Sequence, residues 1–160
     1  INNQTETKAK ELVDKVSTLG RYAERFPMPI GYEDLEVLCQ ENNFDREFVE
    51  LRKLSLQYVD DIHELQQAQT KGYSRNEEGS RENIERLDNS RTMAHNAVIS
   101  QLSILVRNLR QSGANIDWVR DLVDHEGKID RNKARRFALQ LAYNYVTKVI
   151  AKEAQNQGEV

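Results

Sequence analysis

The 160-residue chain is 38% hydrophobic and 31% charged, with 7 glycines and 2 prolines, a composition that suits one helical domain and excludes a β-sandwich or a disordered chain. With 23 basic and 26 acidic residues the net charge is −3, which gives no overall attraction to nucleic acid or to an anionic membrane. Cys39 is the sole cysteine, so an intramolecular disulfide and a CxxC metal or redox motif are both excluded.

The first element expected is a helix over residues 5–26, where Ala9, Leu12, Val13, Val16, Leu19, Ala23 and Phe26 recur at helical spacing. Pro27 and Pro29 stop it, because proline lacks the N–H and restricts the residue before it. A short helix over 32–41 carries Leu35, Leu38 and Cys39 and ends at Asn42 and Asn43. Asp45 then reads as the N-cap of a long helix through 69. Along it Phe44, Phe48, Leu51, Ser55, Tyr58, Ile62 and Leu65 alternate four and three apart, the spacing of a bundle face or of a dimer seam. Residues 70–80, with two glycines and high polarity, read as a loop.

The stretch 84–110 reads as the central helix. At about 100° per residue Leu87, Ala94, Val98, Leu102, Leu105 and Leu109 form one stripe, in line with Ile84 and widened by Ile99 and Val106. Ser112 and Gly113 form its C-cap. A short helix with Ile116, Val119, Leu122 and Val123 facing inward follows, then a turn at Gly127. Asp130 caps the last helix, whose apolar face comprises Ala134, Phe137, Ala138, Leu141, Ala142, Tyr145 and Val149, and 155–160 is a frayed tail. The whole is an all-α, single-domain bundle of four long helices and two short ones.

Two clusters could carry chemistry. Asp88, Arg91 and His95 share one face of the central helix at i, i+3 and i+7, so a charge-assisted chain that holds a ligand or phosphate is possible there, with His95 as a general base. The plainer reading is a buried polar network. The spacing of Arg91 and His95, with three residues between them, does not fit the arginine-then-histidine motif of nucleic-acid-cleaving bundles. Arg131, Lys133, Arg135 and Arg136 crowd cations into the first turns of the last helix, where the dipole disfavours them, and could receive a phosphate, an acidic partner or nucleic acid.

No metal site and no cofactor are expected. His63, His95 and His125 each have a carboxylate nearby in sequence, but only Asp60 and His63 have the Glu-x-x-His type of spacing that a di-metal bundle repeats. The segment DHEGKIDRNK fails as a calcium loop, because with Gly127 at the sixth position Leu122 and Lys133 fall where ligands are needed. There is no glycine-rich phosphate loop and no nucleophile elbow.

The segment SRTMAHNAVISQLSILVRNLRQSG, through Arg91, Ala94, His95 and Asn96 followed by the apolar run, resembles a family of short all-helical domains of Gram-positive bacteria whose function is uncharacterised. The resemblance covers 24 of 160 residues and implies a bacterial helical domain, with no catalytic or ligand assignment.

The expected function is a non-catalytic interaction or regulatory module that self-associates as a homodimer or binds a protein partner. Two surfaces motivate this: the heptad seam, and the back face of the central helix at Met93, Ala97 and Ile104. A ligand site or enzyme using Asp88, Arg91 and His95 is the alternative, and nucleic-acid binding through the basic run the third. With no apolar run near the roughly 18–20 residues that span a bilayer and no basic-then-apolar leader, the expected location is cytoplasmic, without membrane contact.

Overall fold

The computed structural model describes residues 28–75 and 78–158, so the helix expected over 5–26 lies outside the described residues. Four α-helices follow in order: α1 (Tyr32–Glu41), α2 (Asp45–Arg75), α3 (Glu78–Gln111) and α4 (Arg131–Gly158), with a 3₁₀ turn at Asp117–Asp121 between α3 and α4. Among the described residues there is no β-strand, only an isolated bridge between Val123 and Ile129, and the chain is all-α. No helix among them is long and apolar enough to cross a membrane.

The ends of the helices follow from local chemistry. Asn43 takes the left-handed conformation (φ 62°) after α1, and the Phe44 amide donates to the Cys39 carbonyl at 2.7 Å, which closes the last turn. Gly113 does the same for α3 at φ 80°, with the Ala114 amide donating to the Leu109 carbonyl at 3.0 Å. At the start of α4 the Asp130 carboxylate accepts the Lys133 amide at 3.0 Å, the N-cap that its position in sequence implies. Asp45, by contrast, lies within the first turn of α2, and the Phe44 carbonyl accepts the first helical bond from Phe48 at 3.1 Å. There its charge acts on the helix dipole instead.

Three further expectations are corrected. The loop placed over 70–80 is helix almost throughout, with only residues 76 and 77 between α2 and α3. One glycine in each arm, Gly72 and Gly79, costs a helix about 1 kcal/mol, which two long amphipathic helices tolerate. The second short helix is a single 3₁₀ turn, with Trp118 and Val119 buried on it. The tail expected over 155–160 continues α4 as far as Gly158.

The α2–α3 hairpin packs antiparallel, with the Gln101 side chain of α3 donating to the Glu47 carbonyl of α2 at 3.0 Å. Of the heptad residues, Phe48, Leu51, Ser55, Tyr58, Ile62 and Leu65 are buried within this chain, and Phe44 packs against the core. Ser55 fits an apolar seam because its hydroxyl donates to the Leu51 carbonyl at 2.8 Å. The most enclosed helix is α4, where Phe137 to Ala142 are buried without a break. That continuous run marks α4, more than α3, as the helix that the described bundle surrounds. Trp118 stacks on Phe137 at 6.4 Å between centroids, and Arg52 of α2 lies 4.2 Å over the Tyr145 ring while donating to the Tyr32 hydroxyl, which ties α1, α2 and α4 together.

Cys39 is a fully buried free thiol whose pKa is pushed up to about 12 by burial, with Asp45 and Glu47 adding to the shift, so it is an inert core residue. Gly113 has no atom within 4 Å of where a Cβ would stand, so Gly113→Ala tests backbone conformation alone. It is expected to lower stability by about 1–2 kcal/mol in a denaturant melt followed by circular dichroism, with helix content unchanged.

Candidate functional site

One residue from each cluster expected from sequence meets the other: His95 of α3 and Arg131 of α4. The imidazole is buried on α3, stacked on the Tyr58 ring of α2 at 5.1 Å between centroids and 20° between planes. Its Nε2 lies 2.9 Å from the carbonyl oxygen of Arg131 at the start of α4. A carbonyl can only accept, so Nε2 carries the hydrogen and Nδ1 keeps a lone pair. The Arg131 guanidinium stands 3.4 Å from that Nδ1 and donates to Asn96 Oδ1 at 2.8 Å. One residue of α4 therefore holds both edges of the ring, and Asn96, which sequence position turned away from the stripe, helps to fix the arginine.

The charge-assisted chain Asp88–Arg91–His95 does not form as expected. Arg91 donates to Asp88 at 2.6 Å, one turn apart on a half-buried flank, a pair of the kind that contributes about 0–1 kcal/mol. The polar partner of His95 comes from α4 instead, 36 residues away in sequence. With one ring nitrogen donating and the other facing a cation, His95 is a positioning residue and not a free general base.

The electrostatics follow from this packing. Burial lowers the pKa of His95, and Arg131, Arg135 and Arg91 lower it further against the hydrogen bond to the Arg131 carbonyl. Burial raises that of Tyr58, opposed by Arg135, Arg91 and Arg131. The Tyr58 hydroxyl and Arg91 Nε are buried without a hydrogen-bond partner. Arg131 is the guanidinium in contact with this buried aromatic pair, Arg135 and Arg91 act on it through their charge, and Asp88 pairs with Arg91.

The basic run at the start of α4 divides, because a helix turns about 100° per residue. Arg131 faces His95, and Arg135, four residues on and so on the same flank of the helix, adds its charge there. Lys133 and Arg136 line a groove against Pro29, Leu122 and Phe137, where the Lys133 ammonium donates to the Val123 carbonyl at 3.0 Å. The two residues that sequence reasoning passed over are Tyr58, counted only as a heptad position, and Gln140, a polar residue between Leu139 and Leu141 in a buried run.

At the would-be calcium loop, Gly127 takes φ 82° and Asp124 Oδ1 accepts the Glu126 and Lys128 amides at 2.9 and 3.0 Å, a closed turn with its carboxylate occupied. Among the described residues no group of three His, Cys, Asp or Glu side chains is placed to hold a metal ion. Comparison of the chain with protein-family models, curated proteins and solved structures finds no match.

The lowered pKa of His95 sets a pH dependence. An unfolded imidazole takes up its proton near pH 6.5, the folded one only at lower pH, so between those values the unfolded state binds more protons. This contribution to stability is full above about pH 6.5 and is lost as pH falls through the window. Thermal melts from pH 8 to 5 are expected to show that decline in the wild type, and a shallower one in His95→Gln.

Proposed function

We propose that this chain is a non-catalytic helical module that recognises a phosphate or similar anionic group through Arg131 and Arg135 of α4, with Arg91 of α3 adding to the positive field there. The observation that carries this reading is the Arg131 guanidinium held 3.4 Å from His95 Nδ1 and bonded to Asn96, with the charges of Arg135 and Arg91 also felt at the His95–Tyr58 pair. Arg131 is held in place by Asn96 and by the tie between its own carbonyl and His95, so little freedom is lost when an anion pairs with it. The engaged nitrogens of His95 favour binding over acid–base chemistry.

Nucleic-acid recognition by the whole basic run is less well supported, since Lys133 is turned to Val123 and the four cations do not share one face. A melt at low salt with inorganic pyrophosphate tests the anion reading. At a hundredfold excess over the dissociation constant a ligand stabilises by about 2.7 kcal/mol, several degrees for a chain of this size. The double variant Arg131→Gln, Arg135→Gln is expected to lose the shift while its unliganded melting temperature stays within a few degrees of wild type. A wild type that pyrophosphate leaves unmoved contradicts the reading.

A second reading, self-association, rests on the outer stripe of α3. Met93 is 71% exposed and Ile104 37% exposed, with Ala97 partly buried between them. Because the heptad seam is covered within the chain, this stripe is what remains of the surface that motivates a homodimer. It points away from His95, so the two readings are separable. Light scattering at high concentration is expected to report a dimer that Met93→Lys converts to monomer, and a monomeric wild type removes this reading.

A further inference from the structure

Arg131 meets the His95 ring twice, by chemically different routes. Its carbonyl accepts the Nε2 hydrogen at 2.9 Å, and its Nη2 donates to Nδ1 at 3.4 Å. A second proton on the ring acts oppositely on these two contacts. An imidazolium donates from both nitrogens, so the bond from Nε2 to the carbonyl is kept and becomes charge-assisted. At Nδ1 the lone pair is gone, and a charged donor faces the donors of a guanidinium.

Among the described residues, α2 brings Tyr58 to the ring, α3 brings Arg91 with Asp88 paired to it, and α4 brings Arg131 and Arg135. Burial raises the Tyr58 pKa above its ordinary value of about 10, so the phenol keeps its proton where an imidazole titrates. The guanidiniums stay charged throughout. His95 is the member of this group whose ordinary titration falls between pH 5 and 8.

We infer that His95 is a proton-operated latch on the Arg131 side chain: the neutral ring holds the guanidinium, and the protonated ring releases it while keeping its bond to the Arg131 carbonyl. The start of α4 stays tied to α3, and what changes is the arginine. Asn96 Oδ1, which accepts from Nη1 at 2.8 Å, keeps the released guanidinium near the same place. The Nη2 hydrogen that the ring had engaged then becomes available to a ligand, beside a new positive charge. Burial and the arginines lower the His95 pKa, which sets the release below about pH 6.5. On the reading that Arg131 and Arg135 bind an anion, on which this consequence rests, acid strengthens the binding.

The latch is read without a ligand. Carbon-13 relaxation at Arg131 Cδ, a position with no exchangeable proton, is expected to show a rigid side chain at pH 8 that gains mobility on acidification. The change should follow the His95 ring-proton titration, while the Arg131 Cα stays rigid. Asn96→Ala, at an exposed position, removes the other tie and should enlarge the change, and His95→Gln, which has no titrating ring, should abolish it. Sulfate, a dianion throughout this range, tests the consequence. At fixed ionic strength its dissociation constant should fall about fivefold more on acidification in the wild type than in His95→Gln. Arg131 Cδ mobility that does not change across the His95 titration, in the wild type and in Asn96→Ala, overturns the latch, as does a ring that stays neutral until the chain unfolds. An equal fall for sulfate in wild type and His95→Gln overturns the acid-strengthened binding. Sulfate that binds at no pH overturns the anion reading, and the arginine relaxation still decides the latch.

Discussion

The arrangement of α2, α3 and α4 around the arginines depends on a neutral, buried imidazole. His95 gives its Nε2 hydrogen to the first residue of α4, presents its Nδ1 lone pair to the same residue's guanidinium, and lies flat on Tyr58 of α2. A second proton would put a charge in a place already bordered by Arg91, Arg131 and Arg135. The geometry favours the neutral ring, because burial and the arginines disfavour its charged form. A polar residue in an apolar stripe becomes intelligible in this way. It is a joint between helices, with its partner supplied from elsewhere in the chain.

The division of the basic run has a simple geometric cause with a chemical consequence. Four cations within six residues look like one patch when written as a line, yet a helix distributes them over two flanks. On one flank guanidiniums gather beside an aromatic pair, and on the other an ammonium and a guanidinium border an apolar groove with a buried amide. One helix thereby presents two different chemistries.

Much of this was legible in the sequence wherever the deciding forces are local or periodic. The seven heptad positions from Phe44 to Leu65, the left-handed closures at Asn43 and Gly113, and the Asp130 cap all follow from side-chain type and spacing. The loop expected over 70–80 does not form, because two glycines and high polarity weigh heavily only in a short window, whereas the long helices on both sides carry through to Arg75 and from Glu78. The stripe of Asp88, Arg91 and His95 poses in sequence the question of where a buried polar group finds a partner. Which partner it takes was not legible, since Arg131 lies 36 residues on and is brought there only by the packing of α4. Tyr58 and Gln140 were hidden for a similar reason: a phenol in a heptad and an amide in an apolar run look like ordinary core positions until their missing hydrogen bonds are seen.

The most direct test of the coupling between His95 and the arginines is the His95 pKa itself, followed by the ring-proton shift in NMR with and without inorganic pyrophosphate. The arginines on α3 and α4 and the Tyr58 ring on α2 are the groups that face it. In the free protein the pKa is expected below the ordinary value of about 6.5. An anion seated on Arg131 and Arg135 cancels part of the charge that depresses it, so pyrophosphate should raise it, and should fail to do so in the double arginine variant. A His95 that titrates at the ordinary value, or one whose pKa pyrophosphate leaves unmoved, contradicts the account.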